Sequence, residues 1–321
     1  MSARLFVGEQ RIQDGIDAVL TEGRGVAYGD GVFETMRAVG GSIPWWPGHR
    51  ERLALGAARL RIPLPSPERL ETELHDWLSL HRDAVIKLIV NRGGGGRGYM
   101  PMLQAVPVWM LIASALPPPM RPGGLVLRWC DTRLSRQPLL AGIKHCNRLE
   151  QILARAEWSD PEIDEGLMLD TEGSVIAATA ANLFVLREGH WWTPQLDHCG
   201  IAGVCRSWAL RVFAASERRL NVDEVETADA VVLCNAVRGI LPVARLGERV
   251  WLPHPAVEDA RRRLAAASSV RAPALRTVPS VAVRPEGTPV ISLRYHVVTI
   301  VAVFLALAIG LLAGSAFVEP G

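Results

Sequence analysis

The period of the apolar positions changes several times along the chain, and each change marks an element. "ARLFVG" (3–8) and "GVFETMRAVGG" (31–41) alternate apolar with polar residues, the two-residue period of a strand with one buried face. "PGHRERLALGAARLRI" (47–62) instead spaces its apolar residues three and four apart after a Pro-Gly start. "SPERLETELHDWLSL" (66–80) does the same behind a serine cap, with Pro67 at the first helical position, so both stretches predict helices. "AVIKLIVNRG" (84–93) and "AVPVWMLIASAL" (105–116) return to strand character on either side of a glycine loop. The proline- and glycine-rich "PPPMRPGG" (117–124) interrupts both periods and predicts an extended lobe boundary.

A second alternation follows. "GLVLRWC" (124–130) reads as a strand, "NRLEQILARAEW" (147–158) as a helix and "EGLMLD" (165–170) as a strand. "SVIAATAANLFVLREGHWWTP" (174–194) predicts two strands around a bend, and "VCRSWALRVFAASERRL" (204–220) a helix starting directly after Gly203. "ADAVVLCNAVRGILPVARLGERVW" (228–251) adds strands, and a last helix is expected near 255–267. No repeat is visible. These elements predict an α/β body of the α+β kind, with an N-terminal lobe over 1–116, an interlobe linker over 117–124 and a second lobe over 125–267. A basic linker over 268–296 follows. Residues 297–317 then form 21 consecutive positions without a charge, enough at ~1.5 Å per residue to cross a hydrocarbon layer of ~30 Å. The expectation is a transmembrane helix.

Charge sharpens that picture. The net charge is only +2, but residues 261–296 hold seven arginines against Glu286, which leaves the body acidic and excludes a nucleic-acid footprint there. Arginines before the span predict a body kept on the cytoplasmic side of an inner membrane. Five scattered cysteines with no CxxC argue against a disulfide framework and fit a reducing compartment. No HExxH and no His/Cys cluster at ligand spacing occurs, so no metal is expected.

Of 35 basic residues only two are lysine, Lys87 and Lys144. Arginine keeps its proton at any relevant pH, whereas a desolvated lysine loses its own and attacks a carbonyl or serves as a base. Lys87 alternates with apolar neighbours in "AVIKLIV" and reads as a side chain reaching from a strand toward solvent or an acid. Lys144, in "AGIKHCNRLEQ" (141–151), precedes a helix behind the apolar "PLLAGI", where desolvation would lower its pKa. Three stretches suit anions. "NRGGGGRGY" (91–99) brackets four glycines with Arg92 and Arg97. "GIAGVCR" (200–206) puts glycines before a helix whose free N–H groups attract a phosphate. "GHRERL" (48–53) offers Arg50 and Arg52 early in a helix.

"RGGGGRGY", "LAGIKHCNRLEQ", "AANLF", "TPQLDHCGIAGVCR" and "CNAVRGILPV", in this order and spacing, resemble the aminodeoxychorismate lyases. These are pyridoxal 5'-phosphate enzymes of the class IV fold, two-lobed with the cofactor at the lobe interface, which they share with branched-chain and D-amino-acid aminotransferases. The likeness covers roughly residues 4–265. It implies that Lys144 forms the Schiff base with the cofactor and is the catalytic residue, and that Arg52, Gly203, Val204, Asn235 and Ala236 hold the phosphate. Arg97 and Tyr99 would face the substrate, with Arg24 or Arg92 helping. A homodimer is also implied. The expected reaction converts 4-amino-4-deoxychorismate to 4-aminobenzoate and pyruvate, toward folate.

One position departs. The family commonly carries a glutamate for the pyridine nitrogen five residues before the asparagine of "NLF"; counting back from Asn182 gives Ala177. A ring nitrogen without an acid is a poorer electron sink. Transamination, which moves a proton between two carbons, suffers more from that loss than an elimination that gains an aromatic ring. The alternatives are an aminotransferase of the same fold and a membrane-tethered, lyase-like domain without turnover. "ISLRYHVVTIVAVFLALAIGLLAG" (291–314) is similar, over a short stretch, to a bacterial family of copper-transport-associated membrane proteins.

Overall fold

The computed structural model of the chain describes residues 1–12, 23–95, 98–102 and 104–269. The chain divides into two units, Met1–Leu275 and Arg276–Gly321, and every described residue belongs to the first. The span expected over 297–317, most of the basic linker and Arg97 lie outside the described residues. Among those described, no helix is long and apolar enough to cross a membrane.

The first sheet has the order β2-β1-β5-β4-β3, made of β1 (Ser2–Val7), β2 (Gln10–Ile12), β3 (Gly31–Ala38), β4 (Ala84–Asn91) and β5 (Val108–Ser114), all antiparallel. Its connections carry a short helix α1 (Arg24–Tyr28) and two longer ones, α2 (Trp46–Leu60) and α3 (Pro67–Leu80). The serine cap predicted for α3 is present: the Ser66 hydroxyl accepts from the Arg69 N–H. Alternation in β4 buries Ala84, Ile86, Leu88 and Val90, which join Phe6, Met36, Leu53, Leu74 and Trp77 in one core. The opposite phase, Val85, Lys87, Ile89 and Asn91, stays only half-buried. Lys87 and Phe33 thus point away from that core.

The second sheet has nine strands, in the order β11-β10-β9-β12-β13-β6-β7-β8, with β14 paired to β13. They are β6 (Leu125–Trp129), β7 (Glu165–Leu169), β8 (Val175–Ala178), β9 (Asn182–Arg187), β10 (His190–Pro194), β11 (Ser216–Arg218), β12 (Ala230–Asn235), β13 (Gly239–Leu246) and β14 (Arg249–Val250). Helices α4 (Leu149–Arg155), α5 (Val204–Val212), α6 (Val222–Glu226) and α7 (Pro255–Ser269) accompany them. One apolar cluster gathers Leu127, Leu167, Leu183, Val231 and Leu233, and another joins Phe184, Val232 and Cys234 to Cys205 and Trp208 of α5.

Two expectations need correction. Residues 174–194 form three strands, because the chain bends at 179–181 and again at Glu188 and Gly189, both with left-handed backbone. The helix expected over 204–220 stops at Val212. Phe213 stacks on Trp191 with ring centroids 4.4 Å apart, and Ala214 turns left-handed (φ 47), which releases Ser216–Arg218 to pair with β10.

The segment before α4 pairs with the first sheet through backbone. Phe33 N–H donates to the Lys144 carbonyl and Cys146 N–H to the Gly31 carbonyl, each at 2.9 Å, so residues 144–146 run along the free edge of β3. The same pairing places Lys144.

Candidate active site

Lys144 carries its amine 4.3 Å from the centre of the Phe33 ring, and the chain's other lysine, Lys87, carries its amine 5.3 Å from that same ring. Lys87 comes from β4, where it pairs directly with Thr35 of β3, the next residue after Phe33 on the same face. Both lysines therefore converge on one aromatic side chain. The Lys144 pKa is lowered from 10.5 to about 7, by burial first and by the Arg52 charge second; Glu34 partly opposes this, and Arg148 and Lys87 add smaller repulsions. An amine with a pKa near 7 is neutral in a large fraction of molecules at physiological pH and can act as nucleophile or base.

Arg52 lies on the face of α2 that also carries His49 and Gly56. Its Nε donates to Glu34 Oε1 at 2.8 Å, its Nη2 to Glu34 Oε2, and its Nη1 to the Ala202 carbonyl at 3.1 Å. Glu34 is fully buried, and its Oε2 also meets His49 Nδ1 at 2.7 Å. Burial would raise the Glu34 pKa, but hydrogen bonds from Arg52 and His49, with their charges, outweigh it and hold the carboxyl below its usual range. Arg52 is thereby fixed between β3 and the turn before α5.

That turn is built by close approach. Ala202 N–H donates to the Gly142 carbonyl at 3.0 Å, and Asn182 Nδ2 donates to the Ile201 carbonyl at 2.8 Å. A Cβ on Gly203 would overlap Asn182 Oδ1, so only glycine fits while Asn182 holds the turn. Gly203 then opens α5, whose first turn has no side-chain cap and leaves N–H groups free for an anion. Asn235 ends β12, beside Cys234, which packs in one buried apolar cluster with Cys205 of the first turn of α5. The Asn235 side chain accepts from the Val237 and Arg238 N–H groups and so shapes the hairpin turn that contains Ala236. Lys144, Arg52, Gly203 and Val204 thus belong to one region, and Asn235 and Ala236 stand at the end of strand β12, whose Cys234 packs against α5.

Arg24, Arg92 and Tyr99 form a different group. Arg24 and Arg92 are both buried and both bond Asp30, at 2.9 and 2.7 Å. Arg24 also donates to the carbonyls of Gly98 and Tyr99, and Arg92 to those of Leu60 and Arg61. Burial raises the Asp30 pKa, but the two guanidinium groups more than reverse that. These arginines clamp the glycine loop. Tyr99 is exposed, and it lines with Arg24, Arg92 and His145 a cavity of about 270 Å³. His145, buried and beside Arg148, has its pKa pushed down to about 4 by burial first and the Arg148 charge second. It is neutral at pH 7.

Glu34, His49, Asn182, Phe33 and Lys87 escaped the sequence reading as site residues. Glu34 carried a signal, since it occupies the buried phase of β3 among Val32, Met36 and Ala38. Ala177 pairs with Met168 and packs with Cys130, Leu134, Ile176 and Cys199 in one apolar cluster.

Residues 31–246 match the amino-transferase class IV family, and the chain belongs to it. Residues 290–321 match a second description, copper transport outer membrane protein, MctB. An aminodeoxychorismate lyase from Vibrio harveyi is 34% identical over 229 residues, 69% of this chain and 84% of that one. The crystal structure of a 4-amino-4-deoxychorismate lyase from Pseudomonas aeruginosa is 39% identical with a TM-score of 0.76, over 82% of this chain and 98% of that one. A hypothetical aminotransferase from Mycobacterium tuberculosis, solved in its PLP-bound form, shares the fold at 18% identity and a TM-score of 0.69, over 82% of this chain and 98% of that one.

Proposed function

We propose that the chain is a pyridoxal-phosphate-dependent lyase that converts 4-amino-4-deoxychorismate to 4-aminobenzoate and pyruvate. The observation that carries this reading is the amine of Lys144, its pKa brought to about 7 chiefly by burial, beside a fixed guanidinium and an uncapped helix start. Relatives named for this activity at 34% and 39% identity support it. Both ends of the cofactor find suitable partners among these residues. An aldehyde needs a neutral amine, which Lys144 offers. A phosphate needs N–H donors and positive charge, which Arg52, Gly203 and Val204 offer, with the turn at Asn235 and Ala236 alongside.

When bound, the cofactor supplies an electron sink for the carbon that bears the substrate's amine. With its amine free, Lys144 Nζ would remove the proton from that carbon. The Lys144 ammonium would then return that proton to the departing enolpyruvate, which becomes pyruvate as the carbon–oxygen bond breaks and the ring becomes aromatic. Phe33 backs the amine and excludes water from one side. Lys87, a half-buried cation on the same ring, and Arg97 would receive the substrate's two carboxylates; Arg24 and Arg92 contribute by holding the loop that carries Arg97 and Tyr99. The apolar cluster at Ala177 favours elimination over transamination, because it gives a pyridine nitrogen no acid to keep it protonated.

The enzyme would act as a homodimer. Leu149, Ile152 and Leu153 of α4 are 72%, 61% and 61% exposed and form one apolar stripe, a surface that a second copy would cover. The segment 297–317 would tether the body to a membrane. Replacing Lys144 by alanine tests the central reading: the variant should lose both the cofactor's visible absorbance and turnover of aminodeoxychorismate, and retention of both would exclude it.

A further inference from the structure

We propose that Glu34 is a positioning residue for the anion-binding edge of Arg52, so that affinity for a phosphate ester depends on a buried carboxylate that by itself repels one. This rests on the phosphate site described under the proposed function. A carboxylate with no exposed surface, separated from an anion site by one guanidinium, opposes the anion by Coulomb's law, and more strongly in a poorly hydrated interior than in water. Its presence calls for a compensating role.

The geometry supplies one. An arginine has five N–H donors in a rigid fork. Here Nε and Nη2 are taken by the two oxygens of Glu34, and Nη1 gives one donor to the Ala202 carbonyl. What remains is one N–H on each terminal nitrogen, the pair suited to two oxygens of a phosphate. The carboxylate cannot turn away, because Oε2 is also held by His49 Nδ1, one helical turn before Arg52 on α2. Without Glu34 the guanidinium would keep a single carbonyl anchor on a long flexible stem. His49 then serves as the second anchor of the carboxylate.

The two effects of Glu34 on a phosphate have opposite signs, so a neutral isostere separates them. The experiment measures dissociation constants of the cofactor-free protein for pyridoxal phosphate and for pyridoxal, by absorbance titration. The proteins are wild type, Glu34→Gln, Arg52→Met and the double variant. Glu34→Gln should weaken pyridoxal phosphate binding by about tenfold or more, the scale of one lost charge-assisted hydrogen bond, and should not weaken pyridoxal binding, because losing the Glu34 charge only makes the Lys144 amine more readily neutral. The double variant should bind the ester no more weakly than Arg52→Met, because Glu34 acts through Arg52. Unchanged or tighter ester binding by Glu34→Gln would overturn the proposal, as would a parallel loss of pyridoxal binding or a further loss in the double variant. If Glu34→Gln does not fold, His49→Phe carries the test, with ester-selective weakening expected and its absence decisive against. Failure of the wild type to prefer the ester over pyridoxal would instead remove the phosphate site itself.

Discussion

Lys144 shows how one residue's environment becomes chemistry. Its pKa is lowered from 10.5 to about 7, chiefly by burial. In the unfolded chain it would bind its proton up to the ordinary value. Between about 7 and 10.5 the unfolded state therefore holds more protons than the folded one, and the contribution of this group to stability rises with pH across that window. The same shift governs reactivity. The rate at which cofactor-free protein captures pyridoxal phosphate should rise through pH 7 and level off above it; stopped-flow absorbance that keeps climbing past pH 9 would mean an ordinary lysine. Lys144 was legible because lysine is scarce here and amine chemistry cannot be done by arginine. Glu34 was harder to read. Its partners, Arg52 and His49, lie on another element, and only the fold brings their donors to one carboxylate. For Arg92 the sequence showed a cation beside a glycine loop and for Arg24 only the resemblance suggested a role; neither showed that Asp30 and backbone carbonyls would take up their donors.

At the level of elements, the site depends on two backbone junctions: the run of 144–146 along β3 and the turn that opens α5. Gly203→Ala should weaken pyridoxal phosphate binding by about tenfold or more while leaving the far-UV circular dichroism intact, because its Cβ would overlap Asn182 Oδ1 and push the turn away from Arg52. Tight binding by that variant would show that the turn tolerates the shift. β8 bears on reaction type. Introducing an acid by Ala177→Glu should raise the rate at which an added amino acid yields its keto acid, measured with the purified variant; no increase would dissociate that position from the choice of reaction. Strand and helix periods were readable for most of these elements. The early end of α5 was not, since it follows from Phe213 finding Trp191 across the sheet, a contact between distant positions. Alternation alone likewise showed that Lys87 faces opposite to Ile86 and Leu88, but not that Phe33 stands beside it.

For the whole molecule, the exposed stripe of α4 and the proposed tether lead to separate outcomes. If the proposed dimer forms through α4, Ile152→Asp should turn it to monomer in sedimentation velocity, since a charge at the centre of an apolar interface is left unpaired; a wild type that sediments as monomer, or a variant that still pairs, would contradict the proposed interface. The full chain should float with lipid vesicles and a chain ending at Ser269 should not, while both bind the cofactor alike. Catalysis as proposed requires a covalent bond between Lys144 and the cofactor aldehyde. Borohydride reduction of the purified, cofactor-loaded protein followed by peptide mass mapping tests it most directly. A pyridoxyl group on the peptide containing Lys144 is the predicted result, and its appearance on Lys87 alone, or on neither lysine, would contradict it.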